Sequence, residues 1–140
     1  MNQTQKDAIE RIYSLLLDGY TRPPIQQHYG ITRHKTENLL FRGRITDEVA
    51  EKIMGTPGDP PMTRDVRAGR AVEELPHFTA VFGDFKKACE YLGQYYDVSS
   101  HVLGESQRPS ARKMRALVNA NRRARANLFL SKFGLEEGDL

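Results

Sequence analysis

The chain has 140 residues, enough for one compact domain or two very small ones, and 39% of them are hydrophobic. It carries a net charge of +3 and a single cysteine, Cys89, which excludes an internal disulfide and a thiolate-rich zinc site. No apolar run approaches the ~18 residues needed to cross a bilayer. The opening MNQTQKDAIE is too polar for a secretory signal. The expectation is therefore a cytoplasmic protein, in a bacterial cell or a phage-infected host, with no membrane partner.

The periodicity reads as helical throughout. Ile9, Ile12, Tyr13 and Leu16 fall at i, i+3, i+4 and i+7, which predicts a first helix from after Thr4 to Asp18-Gly19. Pro23-Pro24 can only open a helix, so a short second one is expected over about 24–29. Gly30 permits a turn, and Thr32 caps a third helix running to about Phe41. Gly43 stops it. Thr46 caps a fourth helix with Asp47 and Glu48 in its first turn, where negative charge suits the helix dipole, and with Val49, Ala50 and Ile53 buried.

Residues 55–61, GTPGDPP, are too rich in proline and glycine for regular structure. A short helix over 63–75 is expected to end at Pro76, with His77–Phe82 as a packed turn. The next helix, 84–95, buries Phe85, Ala88, Cys89 and Leu92. Ser110 caps a last helix to about Phe133 whose buried stripe is Met114, Leu117, Val118, Asn121 and Leu128. An acidic tail follows. The expected organisation is a domain over 1–54, a linker over 55–64 and a basic helical half over 65–140. The fold class is all-α, a small helical bundle.

Charge is unevenly placed. Arg22, Arg33, Lys35, Arg42 and Arg44 are opposed in sequence only by Glu37. From Ser106 to Leu135 there are eight basic residues and no acid, whereas Asp47–Glu90 holds nine acids and six bases. Two basic zones around an acidic middle suit two surfaces that face a polyanion.

Residues 24–44, PIQQHYGITRHKTENLLFRGR, have helix-turn-helix spacing. Ile25 and Tyr29 point inward, Ile31 plugs the angle between the helices, and Leu39 and Leu40 anchor the second. That leaves Arg33, His34, Lys35, Glu37 and Asn38 to reach base edges in a major groove. Arg22, Thr32, Arg42 and Arg44 are placed to hold phosphates.

The run Tyr29-Gly30-Ile31-Thr32, then Leu39-Leu40, Gly43-Arg44-Ile45-Thr46 and Val49-Ala50-Glu51-Lys52-Ile53, resembles the lambda-repressor-like, Cro/XRE class of DNA-binding domains over about residues 5–54. The resemblance implies a four- or five-helix DNA-binding domain, usually dimeric. Two positions depart from it. Gln26 stands where that class prefers a small residue, and Thr36 where an aliphatic one packs.

The second half is similar to the same class. Leu92-Gly93 would close a scaffold helix, the run Gln107-Arg108-Pro109-Ser110 would precede another, and Ser99, Ser100 and His101 would lie in a second recognition helix. With Arg108, Arg112, Lys113, Arg115, Arg122, Arg123 and Arg125 these form the second basic surface. The resemblance thus implies a helix-turn-helix-like second half, and a dimerisation domain is the alternative.

The histidines His28, His34, His77 and His101 show no metal-ligand spacing, and no nucleophile motif or phosphate-cradling loop is present. No catalytic residue, metal, cofactor or inducer pocket is expected. The expected function is a sequence-specific regulator that binds double-stranded DNA as a homodimer, of the kind phages and mobile elements use as repressors. The alternatives are a protein–protein adaptor or inhibitor on the same scaffold, and RNA binding by the arginine-rich last helix.

Overall fold

A computed structural model describes residues 1–140 and is all-helical, with eight α-helices, a terminal 3-10 turn and no strand. No helix is long and apolar enough to cross a membrane. The chain divides into two compact units. One comprises Met1–Pro61 together with Asn121–Leu140, and the other is Met62–Ala120. The linear division at 1–54, 55–64 and 65–140 does not anticipate that the last twenty residues belong with the first sixty-one.

In the first unit, α1 (Gln3–Asp18) begins two residues earlier than its periodicity suggests. Asn2 and Gln5 form a reciprocal capping box that the sequence reading overlooked. Both side chains also donate to Asp47 Oδ1, at 2.9 and 3.1 Å, which ties this end of α1 to the start of α4 (Asp47–Gly55). At the other end of α4, Arg11 donates to the carbonyls of Ile53 (2.7 Å) and Thr56 (3.2 Å). It satisfies acceptors that α4 leaves open by ending without a left-handed residue. Between them lie α2 (Arg22–Tyr29) and α3 (Arg33–Arg42), separated by Gly30, Ile31 and Thr32. Ile9, Ile12, Ile25, Leu39 and Ile53 are fully buried and form the centre of this unit's core.

The segment after α4 is irregular but anchored. The buried Tyr20 hydroxyl donates to the Pro60 carbonyl at 2.8 Å, and His28 Nε2 lies 3.0 Å from the Gly58 carbonyl.

Helix α8 spans Pro109–Lys132, opening at its proline one residue before Ser110. Its C-terminal part buries Ala126, Phe129 and Leu130 in the first unit. The stripe expected to be buried is instead outside: Met114 is 62% exposed, Leu117 56%, Val118 48% and Leu128 57%, and Asn121 is exposed with them. At about 100° per residue the inward arc, through Arg115, Arg122, Ala126, Phe129 and Leu130, lies roughly a third of a turn away. The 3–4 spacing of Met114, Leu117 and Val118 was real, but it marks an uncovered face.

In the second unit, α5 (Arg64–Phe82) runs straight through Pro76, and His77–Phe82 is its last part rather than a turn. Proline removes one N–H and crowds the preceding turn, a local penalty of ~3 kcal/mol. Burial of Ala71 and Leu75 against Ala88, Cys89 and Leu92 of α6 (Phe85–Tyr96) offsets it. Phe85 is 40% exposed, not buried, because it stands at the hairpin turn where α5 has already ended. Leu92-Gly93 does not end α6. Gly93 is buried inside it, and a Cβ there would lie 2.8 Å from the Val98 carbonyl. Its absence lets the chain fold back toward α7 (Ser100–Glu105).

The tightest approach in the first unit is at Gly43, the left-handed cap of α3 (φ +64°), whose Cβ would collide with the backbone carbonyl of Lys132. Gly43→Ala should lower stability in chemical denaturation by more than the ~1–2 kcal/mol of left-handed strain alone. Gly30→Ala, at φ +63° with nothing within 4 Å, isolates the strain. Equal losses would show that the contact with Lys132 carries no weight.

Candidate nucleic-acid interface

The short helix, turn and second helix expected over 24–41 are present as α2, the Gly30–Thr32 turn and α3. Gly30 takes the left-handed conformation that ends α2, and its N–H returns to the Gln26 carbonyl. Lys52 Nζ reaches the Gly30 carbonyl from α4 at 3.3 Å and steadies the turn. The Thr32 side chain accepts from the Lys35 N–H and caps α3. Thr36, which departs from the family pattern, is fully buried, and its hydroxyl donates to the Thr32 carbonyl at 2.8 Å. The polar atom is thereby satisfied within the helix, and the methyl group packs as an aliphatic residue would.

With Thr36, Leu39 and Leu40 facing the core, the opposite arc of α3 is outside. It presents a chain of side-chain pairs one turn apart. Arg33 Nε contacts Glu37 Oε1 at 2.9 Å, Asn38 Nδ2 and His34 Nε2 lie 3.3 Å apart, and Arg42 donates to Asn38 Oδ1 at 3.0 Å. The Arg33 hydrogen bond holds the Glu37 carboxyl below the usual carboxylate range, with smaller contributions from the charges of Arg33, Arg22 and Arg42. So Arg22, on the first turn of α2, belongs to the same electrostatic neighbourhood. Its guanidinium donates to Gln26 Oε1 at 2.6 Å. Gln26, the other departure from the family pattern, thus has a role as the positioner of Arg22.

Lys35 lies to one side. It pairs with Glu48 of α4 at 2.8 Å, and that hydrogen bond holds the Glu48 carboxyl low. Thr32 and Arg44 are exposed at the two ends of α3. Phe41 was missed. It is 58% exposed and lies on the same arc as His34, two turns on. An apolar residue in an apolar-periodic window reads as core, and only the positions of Leu39 and Leu40 show that it faces out.

The second basic surface is less unified. Ser99 precedes α7 and makes no side-chain cap, and α7 is only six residues long. Ser100 is exposed. His101 and Arg108 both turn to Glu105, at 3.8 and 2.8 Å. Arg115 donates to the Ser106 carbonyl at 2.6 Å, and Arg122 to the Asp18 carbonyl at the end of α1 at 3.1 Å, so both satisfy backbone acceptors. Arg112, Lys113, Arg123 and Arg125 stay exposed on α8.

No group of three or more His, Cys, Asp or Glu side chains is placed to hold a metal ion. Cys89 is buried, and desolvation raises its thiol pKa. The chain matches no protein-family model, no curated protein and no solved structure.

If the Arg33 pairing sets the titration of Glu37, Arg33→Gln should move its midpoint up toward that of an ordinary glutamate. In the native chain the carboxylate persists to lower pH, because its folded pKa is depressed. Carbonyl-detected NMR titration reads this directly, and an unchanged midpoint would place the cause elsewhere.

Proposed function

We propose that the protein is a sequence-specific regulator that binds double-stranded DNA by laying α3 in a major groove. The observation that carries this reading is the front of α3, where exposed Arg33, His34 and Arg42 and half-buried Glu37 and Asn38 form two neighbouring hydrogen-bonded groups on a capped helix. Arginine and asparagine match guanine and adenine edges, glutamate accepts from cytosine, and Phe41 supplies an apolar surface for a thymine methyl. Arg22, Thr32, Arg42 and Arg44 flank the front and suit phosphate oxygens.

The test is selection of random duplex DNA on the purified chain at about physiological salt. One enriched motif is expected. Arg33→Ala should then weaken that site by about 1–3 kcal/mol and relax preference at one position. The three phosphate-directed cations should give a log–log salt slope near −2.7 per head, at about −0.9 for each phosphate. No enrichment and no salt-sensitive binding by the folded chain would overturn the reading.

A second copy of the chain would supply the second head, and the α5–α6 hairpin has the charge order such pairing needs. Lys87, Tyr91 and Tyr95 share one stripe of α6. Phe78 and Phe82 of α5 lie beside Tyr91, with ring centroids 5.0 and 5.3 Å away. Glu74, bonded to the Tyr96 hydroxyl at 2.6 Å, lies with Glu73 at the far end. The face thus has Lys87 at the turn end, beside the capping Asp84, aromatic rings in the middle and Glu73 and Glu74 at the other end. Two copies packed antiparallel about a two-fold axis would set each Lys87 near the other's Glu73. In sedimentation equilibrium, Lys87→Glu and Glu73→Lys should each weaken a dimer at least tenfold, and the two together should restore it. Failure of the pair to restore it would exclude this face.

The exposed Met114, Leu117 and Val118 favour a second reading, a protein–protein adaptor that uses the first half of α8. Association insensitive to salt and lost in Leu117→Asp would support it.

A further inference from the structure

The sequence shows no sign of a ligand pocket, yet the first unit contains one. Where α2, α3 and the end of α8 converge there is a groove of about 510 Å³, within the range of small-molecule sites. Its apolar lining comes chiefly from Leu16, Leu40, Phe41, Leu128 and Phe129. Phe41 and Leu128 are 58% and 57% exposed, so two large apolar side chains from different helices stand open at one cleft.

The charge around the groove has one sign. Arg22, Arg125 and Lys132 are its only charged lining residues, and no acid joins them. Arg22 bonds the neutral Gln26, while Arg125 and Lys132 are exposed and pair with no carboxylate. An apolar floor under three cations is complementary to an apolar body with one anionic end.

We infer that this groove binds a small amphiphilic anion, a carboxylate on an aliphatic or aromatic body. The body lies on Phe41, Leu128 and Phe129, and the carboxylate reaches Arg125, Lys132 or Arg22. Lipid-derived acids and aromatic acids share this chemistry. Binding itself does not depend on the function proposed above, but its consequence does. Phe41 lies in the last turn of α3 and Arg22 begins α2, so a bound anion occupies the ring offered to DNA and neutralises a cation offered to phosphate. On that reading the ligand opposes DNA binding.

The probe is decanoate, below its micellar concentration, added to the full chain and followed by NMR. Saturable binding is expected, with shifts centred on Leu40, Phe41, Leu128 and Phe129. Leu128→Asp and Arg125→Glu, both at exposed positions, should each weaken it at least tenfold while the remaining spectrum stays folded. Decyltrimethylammonium, with the same chain and opposite charge, should not saturate the groove, whereas 4-phenylbutyrate, an aromatic acid, separates the two sources by its relative affinity. Absence of saturation, equal binding of both detergent-like ions, or wild-type affinity in Leu128→Asp would overturn the inference. These readouts contain no DNA, so they fail or succeed apart from the regulator reading. Competition on a selected duplex then tests the consequence, with at least a fivefold loss of DNA affinity expected at saturating decanoate.

Discussion

The first unit is held by a closure that contiguous sequence cannot provide. Its core residues from α1 to α4 are completed by Ala126, Phe129 and Leu130, which arrive from the far end of the chain. The closure depends on a backbone approach, since the Lys132 carbonyl lies where any side chain at residue 43 would stand. Glycine there does two things at once. It allows the left-handed cap that stops α3, and it leaves room for the end of α8. The C-terminus of α3 is therefore fixed on both sides, and its outer arc is presented on a rigid support.

The same closure explains the groove and the arginines. Docking the Phe129 side of α8 leaves Leu128, next in sequence but about 100° away on the helix, standing outside beside Phe41. It also brings Arg122 to the Asp18 carbonyl at the end of α1. A basic run that reads in sequence as one polyanion-binding surface thus has mixed duties. Arg115 and Arg122 end helices, while Arg112, Lys113, Arg123 and Arg125 are left for solvent or a partner.

Legibility followed the strength of local signals. Both ends of α3 and the start of α4 could be read almost to the residue, because Thr32, Thr46 and Gly43 are caps whose chemistry acts within one turn. The buried positions Val49, Ala50 and Ile53 were legible for the same local reason. The part of α5 beyond Leu75 was not, because Pro76 is a local stop that tertiary burial of Ala71 and Leu75 overrides. The buried arc of α8 was misassigned because periodicity finds an apolar stripe without saying whether anything covers it. On the candidate interface, the polar residues of α3 were legible from spacing, but Phe41 and the groove were not. Both are defined by which arc faces the core and by the return of the C-terminus, and neither is a property of a sequence window.

The pairs along α3 bear on how such a surface would discriminate. The pairs of Arg33 with Glu37 and of Lys35 with Glu48 are both open to solvent, and pairs of this kind add little to stability. They are no obstacle to exchange for a better partner, yet in the free chain they hold long side chains in a few rotamers and so reduce the ordering that binding requires. Glu37 matters most here. A carboxylate at the centre of a polyanion-facing helix repels phosphate and is tolerated only where a base offers it an N–H, as cytosine N4 does. Its repulsion acts against every register that lacks such a donor. On the DNA reading, the one acid on the front of α3 adds selectivity by repulsion, while Arg33 and Asn38 add it by matching base edges and the arginines together supply the attraction.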